Sequence, residues 1–359
     1  MLISVDLGER SYPIEVVDGG LAGLGASMAQ VLPPGRCVLV TNPVVGALYA
    51  PAALESLERA GFVPDQIEVP DGEIHKTVES WRTLVEQLVG LGIHRRTPVV
   101  ALGGGVTGDL VGFAAATALR GVPLVQVPTT LLAMVDSAVG GKTGVNTPQG
   151  KNLVGAFYQP SLVYAALDTL HTLPPEEIRC GLGEVIKHGL IGDPTLFERC
   201  EREGPAILRL DADVVSDLVV RSCRLKARVV AADEREQGQR VALNFGHTVG
   251  HALETALGHG QLRHGECVAL GALAETRWSQ ARGRCDPGVV DRLERVLDQL
   301  GLPARPPPFD WQRLVESAGY DKKRARGTMN IAIIEEMGRV SLDSLSVGEI
   351  DEMLDMLKR

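Results

Sequence analysis

The chain has 359 residues, of which 45% are hydrophobic and 4% aromatic, and it carries a net charge of −9. This length exceeds one typical core and predicts two domains. The negative charge and the few aromatic rings exclude a general nucleic-acid surface, which needs basic stripes and stacking side chains. No apolar run approaches the ~20 residues of a membrane span and the first residues lack a signal-peptide pattern, so we expect a cytoplasmic protein without a membrane partner.

The cysteines indicate a reducing environment. The chain has six, at positions 37, 180, 200, 223, 267 and 285, and none forms a C-x-x-C pair. This spacing argues against a disulfide framework and against a structural zinc site. We expect reduced, mostly buried thiols.

The first half of the chain alternates strand and helix patterns. Leu2–Leu7 and Tyr12–Val17 predict a hairpin at the edge of a sheet. The pattern then predicts strands at Cys37–Thr41, Gln66–Val69, Pro98–Leu102 and Pro123–Val127, and helices near Val45–Ala60, Thr77–Leu91 and Asp109–Ala118. This βαβ order predicts a Rossmann-like, mostly parallel sheet with ligands beyond the carboxyl ends of its strands.

The second half is predicted to be mainly helical. Beyond Leu173-Pro174-Pro175, helical patterns cover residues 175–190, 211–235, 242–257, 265–282 and 287–300. A small hairpin, Met329–Ile334 with Val340–Leu342, and a helix near 346–358 follow, and the proline-rich Pro303–Pro308 predicts an ordered surface connection. We therefore predict an α/β nucleotide-binding domain over residues 1–174 and an α-helical domain over residues 175–359 that binds metal and substrate.

The stretch from Asn244 to His251 concentrates the chemistry of this second half. His247 and His251 are four residues apart, so on a helix they share one face and can converge on one ion or substrate. The zinc-protease helix needs a Glu directly after its first His, and Thr248 stands there, which disfavours a peptidase. Gly246 and Gly250 weaken a helix and predict a close approach to its backbone, which favours a site over two histidines satisfied in a core.

Two loops of the first half are candidates for nucleotide binding. Gly103–Gly108 follows a predicted strand and opens a helix, so it matches G-x-G-x-x-G in the right context for a pyrophosphate. The acidic residue expected about 20 positions later is absent, and a merely tight turn remains the alternative. Asp71–Lys76 also follows a strand and offers carboxylates for ribose hydroxyls, although it could equally cap a helix.

A glycine-rich segment, Val135–Asn146, contains G-K-T but is not a P-loop, because Asp136 stands where that motif requires glycine. Lys142 and Lys151 lie in apolar, glycine-rich surroundings of an acidic protein. Burying them would need anionic partners, which predicts a phosphorylated ligand; a solvated loop is the alternative.

A carboxylate completes the candidate metal chemistry. Glu184 and Lys187 are three residues apart in Gly181–Gly189, whose glycines and aliphatic residues argue against a surface ion pair. Glu184, His247 and one further histidine would make a catalytic zinc site with an open position. Spacing leaves His188, His251 and His264 open as the third ligand. The charged residues Lys226, Asp233–Glu236 and Arg240 are equally typical of an ordinary solvated helix face.

Taken together, these segments resemble the 3-dehydroquinate synthase family over nearly the whole chain. The motifs that carry the resemblance are Gly103–Arg120, Pro128–Ala133 with Val135–Asn146, Gly150–Pro160, Gly183–Gly189, Asn244–Glu254, His264-Gly265-Glu266 and Asp321-Lys322-Lys323. The resemblance implies tightly bound NAD⁺, one divalent metal (zinc or cobalt) and a homodimer.

The resemblance also implies roles for individual residues. The metal ligands would be Glu184, His247 and His264. NAD⁺ contacts would come from Asp71, Gly72, Glu73, Ile74, His75, Lys76, Gly105, Val106, Thr107, Gly108, Asp109, Thr129, Thr130, Lys142, Lys151, Thr169, Leu170, His171 and Thr172. Substrate contacts would come from Asp136, Lys142, Asn152, Lys187, Lys226, Arg240, Asn244 and Lys323, with Arg120 reaching the site of the partner subunit.

The family reaction converts 3-deoxy-D-arabino-heptulosonate 7-phosphate to 3-dehydroquinate and phosphate, with NAD⁺ regenerated in each turnover. It implies that the metal polarises the C4 and C5 oxygens and that His251, relayed through Glu236, removes a hydroxyl proton. Lys142, Arg240 and Asn244 would complete the catalytic set by positioning the substrate.

Two departures from the family pattern, Met329-Asn330 and Ala138, put fine positioning in doubt but not the activity. The alternatives are a sugar phosphate cyclase of secondary metabolism, a metal-dependent polyol dehydrogenase of the same fold, and a nucleotide sensor without turnover. The lysine cluster argues against a neutral polyol, and the acid, base and metal candidates argue against a mere sensor.

Overall fold

The computed structural model of the chain describes residues 1–258, 260–319 and 328–358. It divides into two compact units, Met1–Leu173 with Lys226–Ala231 and Pro174–Leu225 with Ala232–Arg359. The predicted domain limits placed Lys226–Ala231 in the second half, whereas these residues group with the first unit. One contact of Lys226 explains this, because its ammonium donates a 2.7 Å hydrogen bond to the backbone oxygen of Asp136.

A seven-stranded sheet forms the centre of the first unit. Its strands are β1 (Leu2–Val5), β2 (Tyr12–Val17), β3 (Arg36–Thr41), β4 (Val63–Glu68), β5 (Val99–Gly103), β6 (Leu124–Pro128) and β9 (Leu162–Ala166), in the spatial order β1-β2-β9-β6-β5-β3-β4. β1 pairs antiparallel with β2 at one edge, and all other neighbours pair in parallel. The carboxyl ends of these parallel strands therefore line one side of the sheet.

Helices cover the sheet because its central strands are almost entirely apolar, with Gln126 of β6 as a buried polar residue. Every residue of β5, β6 and β9 is buried, as parallel strands between helices require. The helices are α1 (Leu24–Val31), α2 (Pro43–Arg59), α3 (Val78–Gly90) and α4 (Gly105–Thr117), and a separate hairpin joins β7 (Lys142–Thr147) to β8 (Gly150–Phe157). Local signals start two of the helices, since the side chains of Asn42 and Thr77 accept hydrogen bonds from the N–H groups of Val45 and Ser80.

The second unit is built mainly from helices. They are α5 (Pro175–Gly192), α6 (Pro194–Leu208), α7 (Ala212–Ala232, which contributes its Lys226–Ala231 stretch to the first unit), α8 (His247–Leu257), α9 (His264–Ala281), α10 (Val289–Gln299), α11 (Trp311–Gly319) and α12 (Val347–Asp355), with a hairpin of β10 (Thr328–Glu336) and β11 (Arg339–Ser346). Apolar residues of α8, α9, α12 and this hairpin share one core, which includes Leu253, Leu270, Ile333 and Met353.

The structure confirms both predicted hairpins, the four predicted parallel strands β3, β4, β5 and β6, and most of the predicted helices. The predictions missed α1, α6, α11 and β7–β9. Two of these elements lack a hydrophobic pattern long or regular enough to predict them. Helix α1 has only eight residues and follows a glycine-rich turn, and most residues of β8 are exposed. By contrast, the start of α6 could have been predicted from the sequence, because Asp193 is the N-cap residue and Pro194 follows it at the first helical position.

Two further findings bear on composition. All six cysteines are buried thiols that form no disulfide, as predicted, and burial raises the pKa of Cys37, Cys180 and Cys200 to about 12 each, which keeps these thiols protonated. Within residues 1–258, 260–319 and 328–358, no helix is both long and apolar enough to cross a membrane.

Candidate functional site

Three imidazoles converge at the amino ends of helices α8 and α9. His247 begins α8, His251 lies one turn later, and His264 begins α9. Their ring centroids are 5.2 Å apart for His247 and His251, 5.4 Å for His247 and His264, and 5.6 Å for His251 and His264. One ring nitrogen of each lies within 4.8 Å of the others. The helical spacing therefore does bring the two histidines of α8 together, and α9 adds the third.

Glu184 of helix α5 meets this cluster from the protein interior. Its side chain is fully buried, and Oε1 lies 3.5 Å from Nε2 of His247 and 3.7 Å from Nε2 of His264. Lys187, one turn along α5 and equally buried, forms an ion pair with Oε2. Oε1, the oxygen that faces the histidines, accepts no hydrogen bond from the described residues. A buried carboxylate oxygen without a donor is costly unless a cation compensates it, and Lys187 contacts only the other oxygen.

The separations of these atoms suit a metal ion. Two donor atoms that are each about 2.1 Å from a tetrahedral metal lie about 3.4 Å apart. The two distances from Glu184 to His247 and His264 are close to that value. The residues present thus fit a small divalent cation held by one carboxylate and two imidazoles, while His251 lies beside the same point and is more exposed.

Two acceptors orient the histidine rings. Nδ1 of His247 lies 3.2 Å from the backbone oxygen of Phe245, and Nδ1 of His264 lies 3.6 Å from Oε2 of Glu254. Acceptors on Nδ1 direct Nε2 of each ring towards the carboxylate of Glu184. Sequence reasoning missed Glu254, although it lies seven residues after His247 on the same helix stripe.

The predicted close approach to the backbone at Gly246 and Gly250 is confirmed, and it serves helix packing. Gly246 and Gly250 do have close neighbours, but these are the backbone of α9: a Cβ would lie 2.7 Å from the Val268 oxygen at Gly246 and 2.9 Å from the Cys267 oxygen at Gly250. A Cβ at Gly183 would lie 2.1 Å from the Gly265 oxygen, so α5 approaches α9 equally closely. The glycines let three helices bring their side chains to one point.

Residues 233–238 form a loop and not the charged helix face that their sequence also suggested, because α7 ends at Ala232. A short 3-10 helix, Gln239–Asn244, follows and contains Arg240. The Asp233 carboxylate accepts hydrogen bonds from the backbone N–H groups of Gln237 (2.9 Å), Gly238 (2.7 Å) and Arg240 (3.1 Å). These donors lower the pKa of Asp233. Arg240 is buried and donates to the Glu234 oxygen. The loop thereby holds a cation that the sequence predicted to contact substrate.

Glu236 and Asn244, both predicted catalytic residues, contact each other. The Asn244 amide donates a 2.5 Å hydrogen bond to Oε1 of Glu236, whose backbone adopts a left-handed φ of 57°. Such a backbone angle is costly for a residue with a side chain and is found most often at functional positions.

In the first unit, Gly103–Gly108 joins strand β5 to helix α4 as predicted. Gly104 is the N-cap residue of α4 and provides no side-chain cap. The N–H groups in the first turn of α4 are therefore available beyond the carboxyl end of β5. At Gly108 the missing side chain serves packing, since a Cβ would lie 2.8 Å from Oε1 of Gln126 on β6. The predicted helix start at Asp109 was four residues late.

Polar groups collect at neighbouring strand ends. Asn42, after β3, donates to Oδ1 of Asp71 at 3.1 Å. The Thr129 hydroxyl, after β6, is buried and makes no hydrogen bond to the described residues. Thr172, after β9, shares a 2.6 Å hydrogen bond with the Tyr49 hydroxyl. A polar ligand at this edge could therefore form hydrogen bonds with several side chains. The sequence analysis missed Asn42, although its position before α2 is typical of a helix cap.

The loop Asp71–Lys76 is tied to the β7–β8 hairpin. The buried Lys76 ammonium contacts the Asp109 carboxylate and lies 2.6 Å from Oδ1 of Asn152. Burial raises the pKa of Asp109, and the Lys76 ammonium partly offsets this. Glu73 accepts a 2.7 Å hydrogen bond from the Asn146 amide. The structure thus brings together four residues predicted to contact NAD⁺ or substrate: Glu73, Lys76, Asp109 and Asn152.

Other predicted residues have different surroundings. Lys142 and Lys151 are exposed, which agrees with the solvated loop that the sequence left as the alternative. Asp136 and Lys226 form an ion pair. Arg120 is exposed at a turn in which Leu119, Arg120 and Gly121 all have positive φ angles of 51°, 67° and 119°. Ile74 is 69% exposed and Leu170 is buried. Lys323 lies outside the described residues.

Comparison with solved structures identifies the class of protein. The chain is similar to a 2-deoxy-scyllo-inosose synthase complexed with carbaglucose-6-phosphate, NAD⁺ and Co²⁺, at a TM-score of 0.89 and 24% identity over 100% of this chain and 99% of that one. It is also similar to a 2-epi-5-epi-valiolone synthase from Streptomyces hygroscopicus subsp. jinggangensis with NAD⁺ and Zn²⁺ bound, at a TM-score of 0.89 and 27% identity over 98% of each chain. The fold, a parallel sheet followed by a helical unit, is that of the sugar phosphate cyclases.

Sequence comparison then narrows the class to one family. The family models for the N-terminal and C-terminal parts of 3-dehydroquinate synthase match residues 66–180 and 181–324. A 3-dehydroquinate synthase from Pelobacter propionicus is 46% identical over 97% of both chains. The chain belongs to the 3-dehydroquinate synthase family. It is an enzyme that eliminates phosphate from 3-deoxy-D-arabino-heptulosonate 7-phosphate and forms 3-dehydroquinate, a step of the shikimate pathway.

Proposed function

We propose that the chain carries out this reaction with NAD⁺ at the carboxyl edge of the sheet in the first unit and with one divalent metal on Glu184, His247 and His264. The observation that carries the proposal is the buried Glu184 carboxylate: its Oε1 lies 3.5 and 3.7 Å from two imidazole nitrogens and accepts no hydrogen bond from the described residues. The ligand types suit zinc and cobalt alike, the two metals named with the solved sugar phosphate cyclases.

The proposed NAD⁺ site uses the residues at the strand ends. The pyrophosphate would rest on the N–H groups at the start of α4, and the polar side chains of Asp71, Glu73, Lys76, Asp109, Thr129 and Thr172 would bind the remainder. When bound, NAD⁺ would accept a hydride from the substrate and later return it. Support comes from the NAD⁺ named with both cyclases and from the buried Thr129 hydroxyl, which lacks a partner among the described residues.

The remaining roles follow from side-chain chemistry. A metal in the site would stabilise the negative charge that develops on a substrate oxygen. His251, which adjoins the three proposed ligands, would accept the proton of that hydroxyl and pass it to Glu236, whose carboxylate accepts a hydrogen bond from Asn244. Lys142, Lys187, Lys226 and Arg240 would bind the anionic groups of the substrate, together with Asp136, Asn152 and Lys323, and positioning by such contacts contributes much of the rate.

We also propose a cytoplasmic homodimer in which Arg120 serves the site of the partner subunit. The exposed guanidinium on a strained turn supports this, because left-handed angles at residues with side chains persist where they have a use. Sedimentation of the purified protein at micromolar concentration should give the mass of two chains, and a monomer would contradict the proposal.

The different roles proposed for the two histidines of α8, His247 as a metal ligand and His251 as a general base, can be tested separately. His247→Ala leaves two protein ligands and should lose the metal. His251→Ala should keep one equivalent of metal and lose about 10²–10⁴-fold in turnover, the usual contribution of a general base. Metal content of both purified variants, measured beside steady-state rates of phosphate release, distinguishes the two roles.

The reverse result would make His251 a ligand: a metal-free His251→Ala protein together with a fully loaded His247→Ala protein. Loss of metal from both variants would mean that His251 supports the site by orienting a ligand, since loss of an orienting partner commonly lowers metal affinity 10–100-fold. Circular dichroism of both variants controls for unfolding.

A further inference from the structure

We propose that Glu275, a buried residue of helix α9, is a positioning residue that sets the affinity and geometry of the metal site by holding the amino end of helix α8. The proposal rests on the metal site proposed above. Nothing in the chemistry of the reaction calls for Glu275, and the resemblance to the family assigns it no role.

The Glu275 carboxyl group caps α8 from the neighbouring helix. Oε2 accepts a 2.7 Å hydrogen bond from the N–H of Gly246, and Oε1 accepts one of 3.4 Å from the N–H of Val249. The N–H of Thr248 also interacts with the same group. One side chain therefore binds three backbone donors that the first turn of an α-helix leaves without intrahelical partners.

Helix α8 cannot cap itself. Its N-cap residue is Gly246, which has no side chain and adopts a left-handed φ of 79°. Ser, Thr, Asp or Asn would normally supply the oxygen at this position, but a Cβ there would lie 2.7 Å from the Val268 oxygen and 2.9 Å from the Ala272 nitrogen. The close approach of α9 thus removes the usual cap, and Glu275, one turn after Gly271 on α9, replaces it.

The cap bears directly on His247. His247 is the first residue of α8, and its neighbours Gly246 and Thr248 on both sides bind Glu275 through their backbone N–H groups. The peptide groups that flank the proposed ligand are therefore fixed. With the 3.2 Å contact from Nδ1 of His247 to the Phe245 oxygen, they determine where Nε2 points.

Glu275 is buried, so its carboxyl group interacts with the protein interior and not with solvent. The side chain is 1% exposed. Burial raises the pKa of Glu275 to about 8, while the backbone donors act in the opposite direction. Removing the side chain would leave several N–H groups of α8 unsatisfied in the protein interior, next to a metal ligand.

The experiment compares Glu275→Gln and Glu275→Ala with a control that removes a helix cap elsewhere in the same unit. Ser346 accepts a hydrogen bond from the N–H of Glu349 at the start of α12, so Ser346→Ala removes a cap remote from the histidines in sequence. For each protein, the dissociation constants of Zn²⁺ and Co²⁺ would be measured by competition with a chromophoric chelator. The absorption spectrum of the Co²⁺-loaded protein and urea unfolding of the metal-free protein complete the set.

We expect Glu275→Ala to weaken metal binding by about 10–100-fold, the usual effect of losing a group that orients a ligand. Glu275→Gln keeps one carbonyl oxygen as acceptor and should weaken it less, with an altered Co²⁺ spectrum. Ser346→Ala should be less stable to urea but should bind both metals as the wild type does.

Unchanged metal affinity and an unchanged Co²⁺ spectrum in Glu275→Gln and Glu275→Ala, with lowered stability alone, would overturn the inference and leave Glu275 as a structural cap. Should Glu275→Ala fail to fold, Glu275→Gln decides by the same criteria. A wild-type protein that binds neither metal would instead refute the proposed metal site, and the Glu275 inference with it, so the two failures are distinguishable.

Discussion

Single carboxylates hold segments of the candidate site in place, and for Asp233 this role predicts a pH dependence of the free energy of unfolding. Its pKa is lowered by the N–H groups of Gln237, Gly238 and Arg240. Since the folded-state pKa lies below the ordinary value of 3.8, ionised Asp233 stabilises the fold at all pH values above that ordinary value. This contribution is lost as the pH falls through the folded-state pKa.

We therefore expect the difference in free energy of unfolding between wild type and Asp233→Asn to stay constant between about pH 5 and pH 7 and to shrink below about pH 4. Urea unfolding at a series of pH values measures it, and Asp213→Asn, another acidic residue of the same helical half, serves as the control. A difference that changes near neutral pH would mean that another group is being titrated.

Arg120 is the residue whose proposed role depends on a second subunit. If it serves the partner's site, Arg120→Ala and His251→Ala should each be nearly inactive as homodimers. A mixed dimer should nevertheless contain one complete site, because its intact His251 and its intact Arg120 then meet in the same site.

Coexpression of the two variants with different affinity tags allows the mixed dimer to be isolated and assayed. A statistical mixture should recover about one quarter of wild-type activity, since about half of the dimers are mixed and each has one working site. If Arg120 acts within its own subunit, no mixed site is complete and activity stays at the level of the single variants.

At the scale of elements, the contact between α8 and α9 depends on small residues. A Cβ at Gly271 would lie 2.0 Å from the Gly246 oxygen and 2.7 Å from the Gly250 nitrogen. Gly271→Ala should therefore push the helices apart and destabilise the protein by about 2–3 kcal/mol, the usual cost of overpacking a close contact.

Gly348 of α12 is the matched control, because a Cβ there would meet nothing within 4 Å. Gly348→Ala should change stability by no more than about 1 kcal/mol, and in the favourable direction, since alanine loses less freedom in a helix. Urea unfolding of both variants tests the contrast; equal effects would mean that α8 and α9 tolerate a wider separation.

The motif segments could be predicted from local sequence because their chemistry is local. Gly103–Gly108 joins a strand to a helix, and His247 and His251 share a face, in both cases because neighbouring residues specify the turn or the helix. Whether Lys142 and Lys151 are buried or solvated could not be decided from the sequence, since exposure depends on what the rest of the chain covers and not on the composition of the segment.

At the scale of the whole molecule, the proposed recycling of NAD⁺ would separate this enzyme from dehydrogenases. If the substrate is oxidised and then reduced again as proposed, NAD⁺ should be required in catalytic amounts only. Phosphate release at substoichiometric NAD⁺ should continue over many turnovers without a rise in absorbance at the NADH wavelength. One NADH accumulating per product would contradict the recycling.

The sequence by itself determined the alternation of strands and helices in the first half, the helical second half and the set of side chains able to do the chemistry, because periodicity, helix caps and side-chain type are properties of short segments. The resemblance carried by its motifs named the family, which the comparisons confirm. Only the tertiary structure decided that Glu184 of α5 lies between His247 of α8 and His264 of α9, and that glycines and Glu275 hold these helices in place. Such contacts join residues far apart in the chain, and their geometry depends on how closely the backbones of three helices approach one another.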